Sequence, residues 1–168
     1  VPNLVLIDHF QKKGVECSYI GSMSGPEYKL VTESESKSPV RFYGIASGKL
    51  RRYFSFQNAS DLFRVGLGML QSIVYVWQIK PDLVFSKGGF VSFPVVFGAW
   101  VNRVPVVIHE SDFSPGLANR LSLPFAKAVC TSFKKTQETL ATKKPVYFTG
   151  NPLRSELFDI STEKARSF

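Results

Sequence analysis

Residues able to bind a phosphate or a sugar stand at the ends of the short apolar runs in this sequence. Ser86-Lys87-Gly88-Gly89 joins one apolar run to an amphipathic stretch, and glycines let a backbone approach an anion closely. A helix beginning there would add free N–H groups and a positive dipole end. A tight turn without a ligand is the alternative interpretation. Lys87, Gly88 and Gly89 are therefore candidate anion-binding residues.

A second polar group, His109-Glu110-Ser111-Asp112, follows the most apolar run of the chain. A histidine and carboxylates at such a place could support proton transfer. The alternative is a histidine held by local hydrogen bonds beside a solvated carboxylate. Its position at the end of an apolar run favours the functional interpretation.

Arg154 follows Gly150-Asn151-Pro152, a turn that ends a further apolar run. A guanidinium aimed outward from such a turn could hold a diphosphate as a planar fork. A surface ion pair is the alternative. Asn151 and Arg154 are therefore candidate ligand-binding residues.

Short apolar runs and amphipathic stretches alternate through the chain, and this pattern predicts the elements that position these residues. The alternation is typical of an α/β fold, a Rossmann-like parallel sheet with helices on both faces. We expect at least six strands in one sheet, with the polar turns together at their carboxyl ends. The strand candidates are 16–20, 40–45, 82–85, 104–108, 128–131 and 146–148, and the helix candidates are 3–13, 26–33, 59–79, 91–102, 115–123 and 134–141.

Basic residues and aromatic residues stand side by side just before the longest apolar helix candidate. This combination describes an element that lies on an anionic membrane surface, although a helix buried on all sides is the alternative. The stretch 62–79 contains Arg64 and two glutamines, so it does not predict a spanning helix. The candidate membrane-associating residues are Lys49, Arg51, Arg52, Tyr53, Phe54 and Trp77.

The composition narrows the class of partner. A chain of 168 residues with 44% hydrophobic residues can bury a core, and its net charge of +8 predicts an anionic partner. We expect no nucleic acid, because no recognition motif accompanies the charge. The two cysteines, Cys17 and Cys130, are expected to be buried reduced thiols. No residue spacing predicts a metal site, and we expect no cofactor.

Taken together, the motifs resemble the MurG family of glycosyltransferases over essentially the whole chain. No single motif is specific for this family, but the order and spacing of the motifs together are specific for it. Ser-Asp after His-Glu, where many members have Gln-Asn, resembles the Gram-positive branch. The segments that carry the resemblance are 47–52, 86–92, 105–112, 115–119 and 150–154.

The resemblance implies the amino-terminal half of a two-domain GT-B-type enzyme of peptidoglycan synthesis. Such an enzyme moves N-acetylglucosamine from UDP-N-acetylglucosamine to lipid I, the undecaprenyl-diphosphate-linked muramyl-pentapeptide, and inverts the anomeric centre to give lipid II. It is peripheral on the cytoplasmic face of the plasma membrane. Residues 1–154 would form the acceptor-binding, membrane-associating domain, and residues 155–168 would begin the link to the donor-binding domain.

Roles follow from the resemblance residue by residue. His109 or Glu110 would support catalysis, the turn from Lys87 to Gly89 would hold the acceptor diphosphate, and Arg154 would touch the donor. Asp112 stands where many members have an asparagine, and an ionised carboxylate cannot donate that hydrogen bond. The family's first glycine-rich loop, which carries a histidine favoured as the general base, would lie upstream of Val1. The implied substrate-binding residues are Lys87, Gly88, Gly89, Ser111, Asp112, Asn119, Asn151 and Arg154.

Two rival functions remain open at the level of sequence. One is a related enzyme of the same fold, either a glycolipid-forming glycosyltransferase or a UDP-sugar epimerase. The other is a non-catalytic subunit that recruits a separate donor-binding chain to the membrane. A fragment that carries only the acceptor half is expected to be inactive alone, because transfer needs both substrates held together.

Overall fold

Helices and strands alternate along the chain in the order that the sequence predicts. In this computed structural model the described residues are 2–33, 40–48 and 57–153. The elements are α1 (Pro2–Lys12), β1 (Ser18–Ser22), α2 (Pro26–Thr32), β2 (Arg41–Ile45), α3 (Gln57–Ile79), β3 (Val84–Ser86), α4 (Ser92–Val101), β4 (Val106–Glu110), α5 (Leu117–Ser122), a short 3-10 helix (Leu123–Phe125), β5 (Ala128–Thr131), α6 (Lys134–Thr139) and β6 (Val146–Phe148).

Every strand pair in the described residues is parallel, which confirms the predicted α/β class. The expected single ladder of six strands is not formed by these residues. Strands β1 and β2 form one sheet, and β3, β4, β5 and β6 form a second sheet in that order. The hydrogen-bonded ladder is therefore interrupted between β1 and β3.

The core lies around β4, which has a neighbouring strand on each side. Val106 and Ile108 of β4 are almost fully buried against α4 and the segment around β5. Complete burial of one such side chain contributes about 1.5–3 kcal/mol. The buried members of this cluster are Val96, Ala99, Val106, Ile108, Ala126 and Val129.

The carboxyl ends of two strands lie two residues beyond the predicted ends. Strand β4 extends through His109 and Glu110, because these residues pair with Cys130 and Thr131 of β5. Strand β1 likewise ends at Ser22 and not at Ile20. Apolar character marks the buried middle of a strand, whereas the ladder partner decides where it ends. His109 and Glu110 are thus fixed within a strand and do not follow it in a loop.

Helix α3 packs closely on α4 along one side. A Cβ atom at Gly98 would lie 2.8 Å from the backbone carbon of Ser72, so the two helices meet backbone to backbone. Asn102 adds a hydrogen bond from its side-chain amide to the carbonyl oxygen of Ile73 at 3.0 Å. Val76, on this side of α3, is completely buried. This contact fixes the position of α3 relative to α4.

The opposite side of α3 is apolar and exposed, so the alternative of a helix buried on all sides is wrong. The exposed side chains recur at intervals of four and three residues, which places them along one face of the helix. None of the described helices is both long and apolar enough to cross a bilayer. We call this face the α3 stripe; it comprises Phe63, Leu67, Leu70, Val74 and Trp77, which are 41–75% exposed.

A cavity of ≈490 Å³ occupies the interruption between β1 and β3. Residues 15–21, which include β1, form one wall, and residues 79–92, which include β3, form the other. Side chains of α1, among them Leu6, Ile7 and Phe10, also line the cavity. Lys87, Gly88 and Gly89 lie at its border with the carboxyl edge of the sheet.

Candidate functional site

The turn after β3 requires both of its glycines. Gly88 and Gly89 have φ angles of +84° and +97°, values that residues with a side chain rarely adopt. A Cβ atom at Gly88 would also lie 2.9 Å from Oδ1 of Asn119. The Gly88 amide donates to the hydroxyl oxygen of Ser86 at 3.3 Å, and Ser92 Oγ donates to the carbonyl oxygen of Gly89 at 2.7 Å. The turn therefore has a fixed shape beside Asn119.

Lys87 projects from this turn towards the turn after β6. Its Nζ donates a hydrogen bond to Oδ1 of Asn151 at 2.8 Å. The hydroxyl of Ser111 reaches the same Oδ1 at 3.5 Å. Burial lowers the pKa of Lys87, while the negative charge of Glu110 opposes the decrease. A cation and two hydrogen-bonding side chains from three separate turns thus come together at the sheet edge.

His109 lies beneath this group and is only 2% exposed. Its Nε2 is 2.9 Å from the carbonyl oxygen of Gly150, and since a carbonyl only accepts, Nε2 carries the proton. Nδ1 is then an acceptor for the Ser111 hydroxyl at 3.4 Å, and it shares the single hydroxyl proton with Oδ1 of Asn151. Burial lowers the pKa of His109 and the nearby Lys87 lowers it further, against the bond to Gly150 and the charge of Glu110. This environment favours a neutral ring engaged at both nitrogens.

Glu110 is also buried, at 4% exposure, and its carboxylate organises the loop that follows β4. Oε1 accepts from the amide of Asp112 at 2.9 Å, and Oε2 accepts from the amide of Gly116 at 3.1 Å. The side-chain amide of Asn119 donates to Oε2 at 2.8 Å and to the carbonyl oxygen of His109 at 3.3 Å. Bonds from three donors compensate for burying this carboxylate. The geometry gives Glu110 a positioning role.

Most of the residues singled out from the sequence are gathered at this edge. Asp112 is exposed in the loop held by Glu110, and its backbone oxygen accepts from Thr136 at 3.3 Å. Trp77 belongs to the α3 stripe and not to this site. The candidates outside the described residues are Lys49, Arg51, Arg52, Tyr53, Phe54 and Arg154.

The sequence patterns did not single out several groups that shape the site. The Gly150 carbonyl oxygen positions His109, and Thr136, which is 1% exposed, binds the backbone oxygens of Asp112 and Phe113. Ser86 supports the glycine turn through its hydroxyl. A signal existed for Ser86, since it ends a strand beside Lys87. The sequence contained no such signal for Thr136, because its hydrogen-bond partners Asp112 and Phe113 lie more than twenty positions away.

Comparison with known proteins first defines the class. The fold is that of the amino-terminal half of a GT-B-type enzyme, and it is similar to the crystal structure of Acinetobacter baumannii MurG. That similarity has a TM-score of 0.70 and 26% identity, and covers 92% of this chain and 42% of that one. The chain belongs to glycosyltransferase family 28, because residues 1–131 match the model of the family's N-terminal domain.

Curated relatives have a more specific name. The UDP-N-acetylglucosamine–N-acetylmuramyl-(pentapeptide) pyrophosphoryl-undecaprenol N-acetylglucosamine transferase of Legionella pneumophila (strain Lens) is 50% identical over 156 residues, which are 93% of this chain and 42% of that protein. The second such transferase of Bacillus cereus (strain ATCC 10987 / NRS 248) is 47% identical over 167 residues, or 99% and 46%. The chain therefore spans less than half the length of these relatives.

A putative UDP-N-acetylglucosamine 2-epimerase from Listeria monocytogenes has a similar fold. The TM-score is 0.64 at 15% identity, with 88% of this chain and 40% of that chain covered. A likeness at this identity shows the shared fold alone. It gives no support to the epimerase alternative beyond the architecture.

Proposed function

We propose that this chain is the acceptor-binding half of an inverting N-acetylglucosaminyltransferase of peptidoglycan synthesis. The substrates would be UDP-N-acetylglucosamine and lipid I, and the product would be lipid II. The observation that carries the proposal is 50% identity, across 93% of the chain, to a relative named for this transfer. The polar site at the sheet edge supports it, because both substrates contain a diphosphate.

The reaction is a direct displacement. The C4 hydroxyl oxygen of the muramyl sugar forms a bond to the anomeric carbon of the donor, and the bond from that carbon to the diphosphate breaks. A base takes the hydroxyl proton, and UDP leaves with the electron pair. Because the nucleophile enters opposite the leaving group, the anomeric configuration inverts. Positive groups and N–H donors near either diphosphate would lower the energy of the charged species.

Lys87 is the described residue best placed to bind a diphosphate. Its Nζ lies 2.8 Å from Asn151 Oδ1, at a turn whose glycines leave the backbone accessible. We assign Lys87, Gly88 and Gly89 to the acceptor diphosphate on this basis. Ser111 and Asn151, which share the neighbouring hydrogen bonds, would contact the sugar or the phosphates. Arg154, outside the described residues, remains our candidate for the donor diphosphate.

His109 and Glu110 would support catalysis by holding this surface in place. The His109 ring is buried, with Nε2 on the Gly150 carbonyl oxygen and Nδ1 facing Ser111, so it orients the Gly150–Asn151 turn. Glu110 fixes the loop that carries Asp112 through its bonds to backbone amides. Asn119 connects this loop with the glycine turn, since its Oδ1 lies beside Gly88.

We further propose that the chain binds peripherally to an anionic membrane at the cytoplasmic face. The α3 stripe supplies the apolar surface, and Phe63, Leu70 and Trp77 are each more than 60% exposed. Large apolar side chains in one exposed row are typical of an interaction surface. Lys49, Arg51 and Arg52, which lie outside the described residues, would add attraction to acidic headgroups.

The test of the transferase proposal uses the protein with its donor-binding domain. Radiolabelled N-acetylglucosamine should move from UDP to a lipid I analogue, and no transfer should occur without that acceptor. The 168-residue chain alone should bind the analogue weakly and in a salt-sensitive manner, without turnover. Turnover by this chain alone would contradict the half-enzyme assignment. Epimerisation of the nucleotide sugar without transfer would return the protein to the epimerase alternative.

A further inference from the structure

A pair of aromatic side chains lies at the carboxyl edge of the sheet, next to the polar site. Phe113 belongs to the loop after β4, and Phe133 immediately precedes α6. Their ring centroids are 4.6 Å apart, with an angle of 33° between the ring planes. Phe113 is nevertheless 58% exposed and Phe133 39% exposed, so much of the paired aromatic surface faces solvent. Exposed aromatic surface of this kind is typical of a place where a partner binds.

The backbone that carries Phe113 is held from two sides by buried side chains. Glu110, which ends β4, accepts from the amide of Asp112 at 2.9 Å. From α6, the hydroxyl of Thr136 shares its one proton between the backbone oxygens of Asp112 and Phe113, at 3.3 and 3.1 Å. Glu110 and Thr136 are only 4% and 1% exposed. Two buried polar groups therefore fix a residue whose own side chain is mostly exposed.

The ring of Phe113 is also restrained. Phe133 packs against it, and Nζ of Lys135 lies over it at 5.9 Å from the ring centroid. An exposed aromatic side chain without such contacts would populate several rotamers, and a ligand would have to order it on binding. A ring that is already ordered receives a partner without this loss of entropy. The arrangement therefore has the preorganisation expected of a binding surface.

The polar groups beside this ring indicate the chemistry of its partner. Asp112 precedes Phe113 and is exposed, and an ionised carboxylate accepts hydrogen bonds from hydroxyl groups. Ser111 is two residues before Phe113, hence within about 7 Å along the chain. Its hydroxyl reaches Oδ1 of Asn151, which accepts from Lys87. An aromatic face, a carboxylate and a nearby cation together suit a sugar ring with an attached phosphate, because such a ring has apolar C–H groups on its faces and hydroxyls at its rim.

We propose that Phe113, supported by Phe133, forms a stacking subsite for the pyranose ring of an N-acetylhexosamine joined to a diphosphate. The proposal rests on the proposed transferase function, in which both substrates contain such a ring. The sugar lies on the exposed part of Phe113, Asp112 accepts from its hydroxyl groups, and the diphosphate extends towards Lys87. Thr136 is a positioning residue, because it is buried and acts through the backbone of Phe113.

The test measures steady-state kinetics of the transferase with its donor-binding domain. Phe113→Leu keeps an apolar side chain but removes the flat ring, and it should lower kcat/KM about tenfold, chiefly by raising KM. Phe113→Tyr keeps the ring and should stay within about twofold of the unsubstituted enzyme. Phe10→Leu is the matched control, because Phe10 is 43% exposed and lies near the end of α1, which leads to the amino end of β1.

The two substrates distinguish the source of the stacked ring. A higher KM for UDP-N-acetylglucosamine assigns the subsite to the donor sugar, and a higher KM for the lipid I analogue assigns it to the muramyl sugar. Either result supports the proposal. Thr136→Val should raise the KM of the same substrate, and Thr136→Ser should restore it. Thr139→Val is the control, since its exposed hydroxyl donates to the Lys135 carbonyl oxygen within the same helix.

Two outcomes would overturn the subsite in an enzyme that transfers the sugar. The first is that Phe113→Leu and Phe10→Leu have equal kinetic constants for both substrates. The second is that Phe113→Leu lowers the unfolding midpoint while both KM values stay unchanged, which would assign Phe113 to a contact with the donor-binding domain. Absence of transfer by the unsubstituted enzyme is a different result, because it would contradict the proposed function itself and, with it, the subsite.

Discussion

The Nε2 atom of His109 donates a hydrogen bond to the carbonyl oxygen of Gly150 at 2.9 Å. His109 lies near the end of β4 and Gly150 follows β6, and β5 lies between these two strands. The bond joins the carboxyl ends of β4 and β6 above their common neighbour. It holds the Gly150–Asn151 turn where Asn151 accepts from Lys87. A buried side chain in one strand thus determines the position of a surface residue after another strand.

Replacing His109 by glutamine should destabilise the fold by about 1–3 kcal/mol, because a buried acceptor loses a well-placed donor. The free energy of unfolding in urea would measure the effect. His9→Gln is the matched control, since this second histidine is exposed on α1 and should change stability little. Equal effects of the two substitutions would contradict a structural role for the bond to Gly150.

The pH dependence of stability has a defined sign. Burial lowers the pKa of folded His109 below its ordinary value of 6.5, so between these two values the unfolded chain binds more protons than the folded chain. This contribution to stability is fully present above pH 6.5 and decreases as the pH falls towards the folded pKa. The stability difference between the native chain and His109→Gln should therefore decrease over that range. A difference that increases on acidification would show the opposite shift.

Glu110→Gln should cost about 1.5–3 kcal/mol, because an amide cannot replace both carboxylate oxygens as acceptors for three donors. Asp112→Asn changes the same charge at an exposed side chain and should cost much less. Urea unfolding would compare the two variants. In Glu110→Gln we also expect faster hydrogen exchange at the amides of Asp112 and Gly116. Unchanged exchange at both amides would contradict the positioning role.

Two adjacent glycines provide a test of the turn. Both have positive φ angles, so alanine at either site carries a backbone cost of about 1–2 kcal/mol. At Gly88 a Cβ atom would additionally lie 2.9 Å from Asn119 Oδ1, whereas at Gly89 nothing lies within 4 Å. Gly88→Ala should therefore be the more destabilising of the two in thermal unfolding. Equal losses of stability in the two variants would mean that the Asn119 side chain moves aside without an energetic penalty.

Lys87→Gln should lower kcat/KM for the acceptor about ten- to a hundredfold in the enzyme with its donor domain, as expected for losing one charge-assisted contact. Glutamine keeps a hydrogen-bond donor for Asn151, so the variant tests charge more than structure. Lys127→Gln is the control, because Lys127 precedes β5 at the opposite edge of the sheet. Equal kinetics in the two variants would remove Lys87 from the diphosphate site.

The α3 stripe predicts membrane binding that depends on apolar side chains. Leu70→Asp should weaken sedimentation with vesicles rich in anionic lipid, whereas Phe148→Asp, at a similarly exposed residue of β6, should not. Exchanging Lys49, Arg51 and Arg52 for glutamate should weaken binding by about 1 kcal/mol for each residue near the surface. Insensitivity to salt together with equal binding to neutral vesicles would rule out the electrostatic part.

The fold was largely predictable because local sequence determines local structure. Apolar runs gave the middle of every strand, and β5 and β6 match their predicted ends. The observed ends of β1 and β4 differ from the predicted ends, because pairing partners such as Cys130 and Thr131 are distant in sequence. The interrupted ladder was not predicted either, since alternation specifies the order of strands but not which edges meet.

The site was predictable in position more than in detail. The carboxyl ends of strands located Lys87, His109 and Asn151 at one edge. The sequence could not show that His109 and Glu110 are almost fully buried, since both are polar residues at the end of an apolar run. Burial depends on long-range contacts, including the one from His109 to Gly150, forty-one residues away. Buried polar groups of this kind are set by the fold.

The contact between Gly98 and Ser72 fixes the distance between the exposed face of α3 and the residues at the start of α4. Because only glycine fits against the backbone and the Cβ atom of Ser72 at that point, little can be compressed when α3 rests on a surface. α4 begins just after the Gly88–Gly89 turn, so the distance from the α3 stripe to Lys87 is set by backbone and not by flexible side chains. Lys87 would accordingly contact an acceptor anchored in a lipid layer at one fixed distance from the membrane surface. Replacing Gly98 by a larger residue would therefore change that distance and leave the residues that bind the diphosphate unaltered.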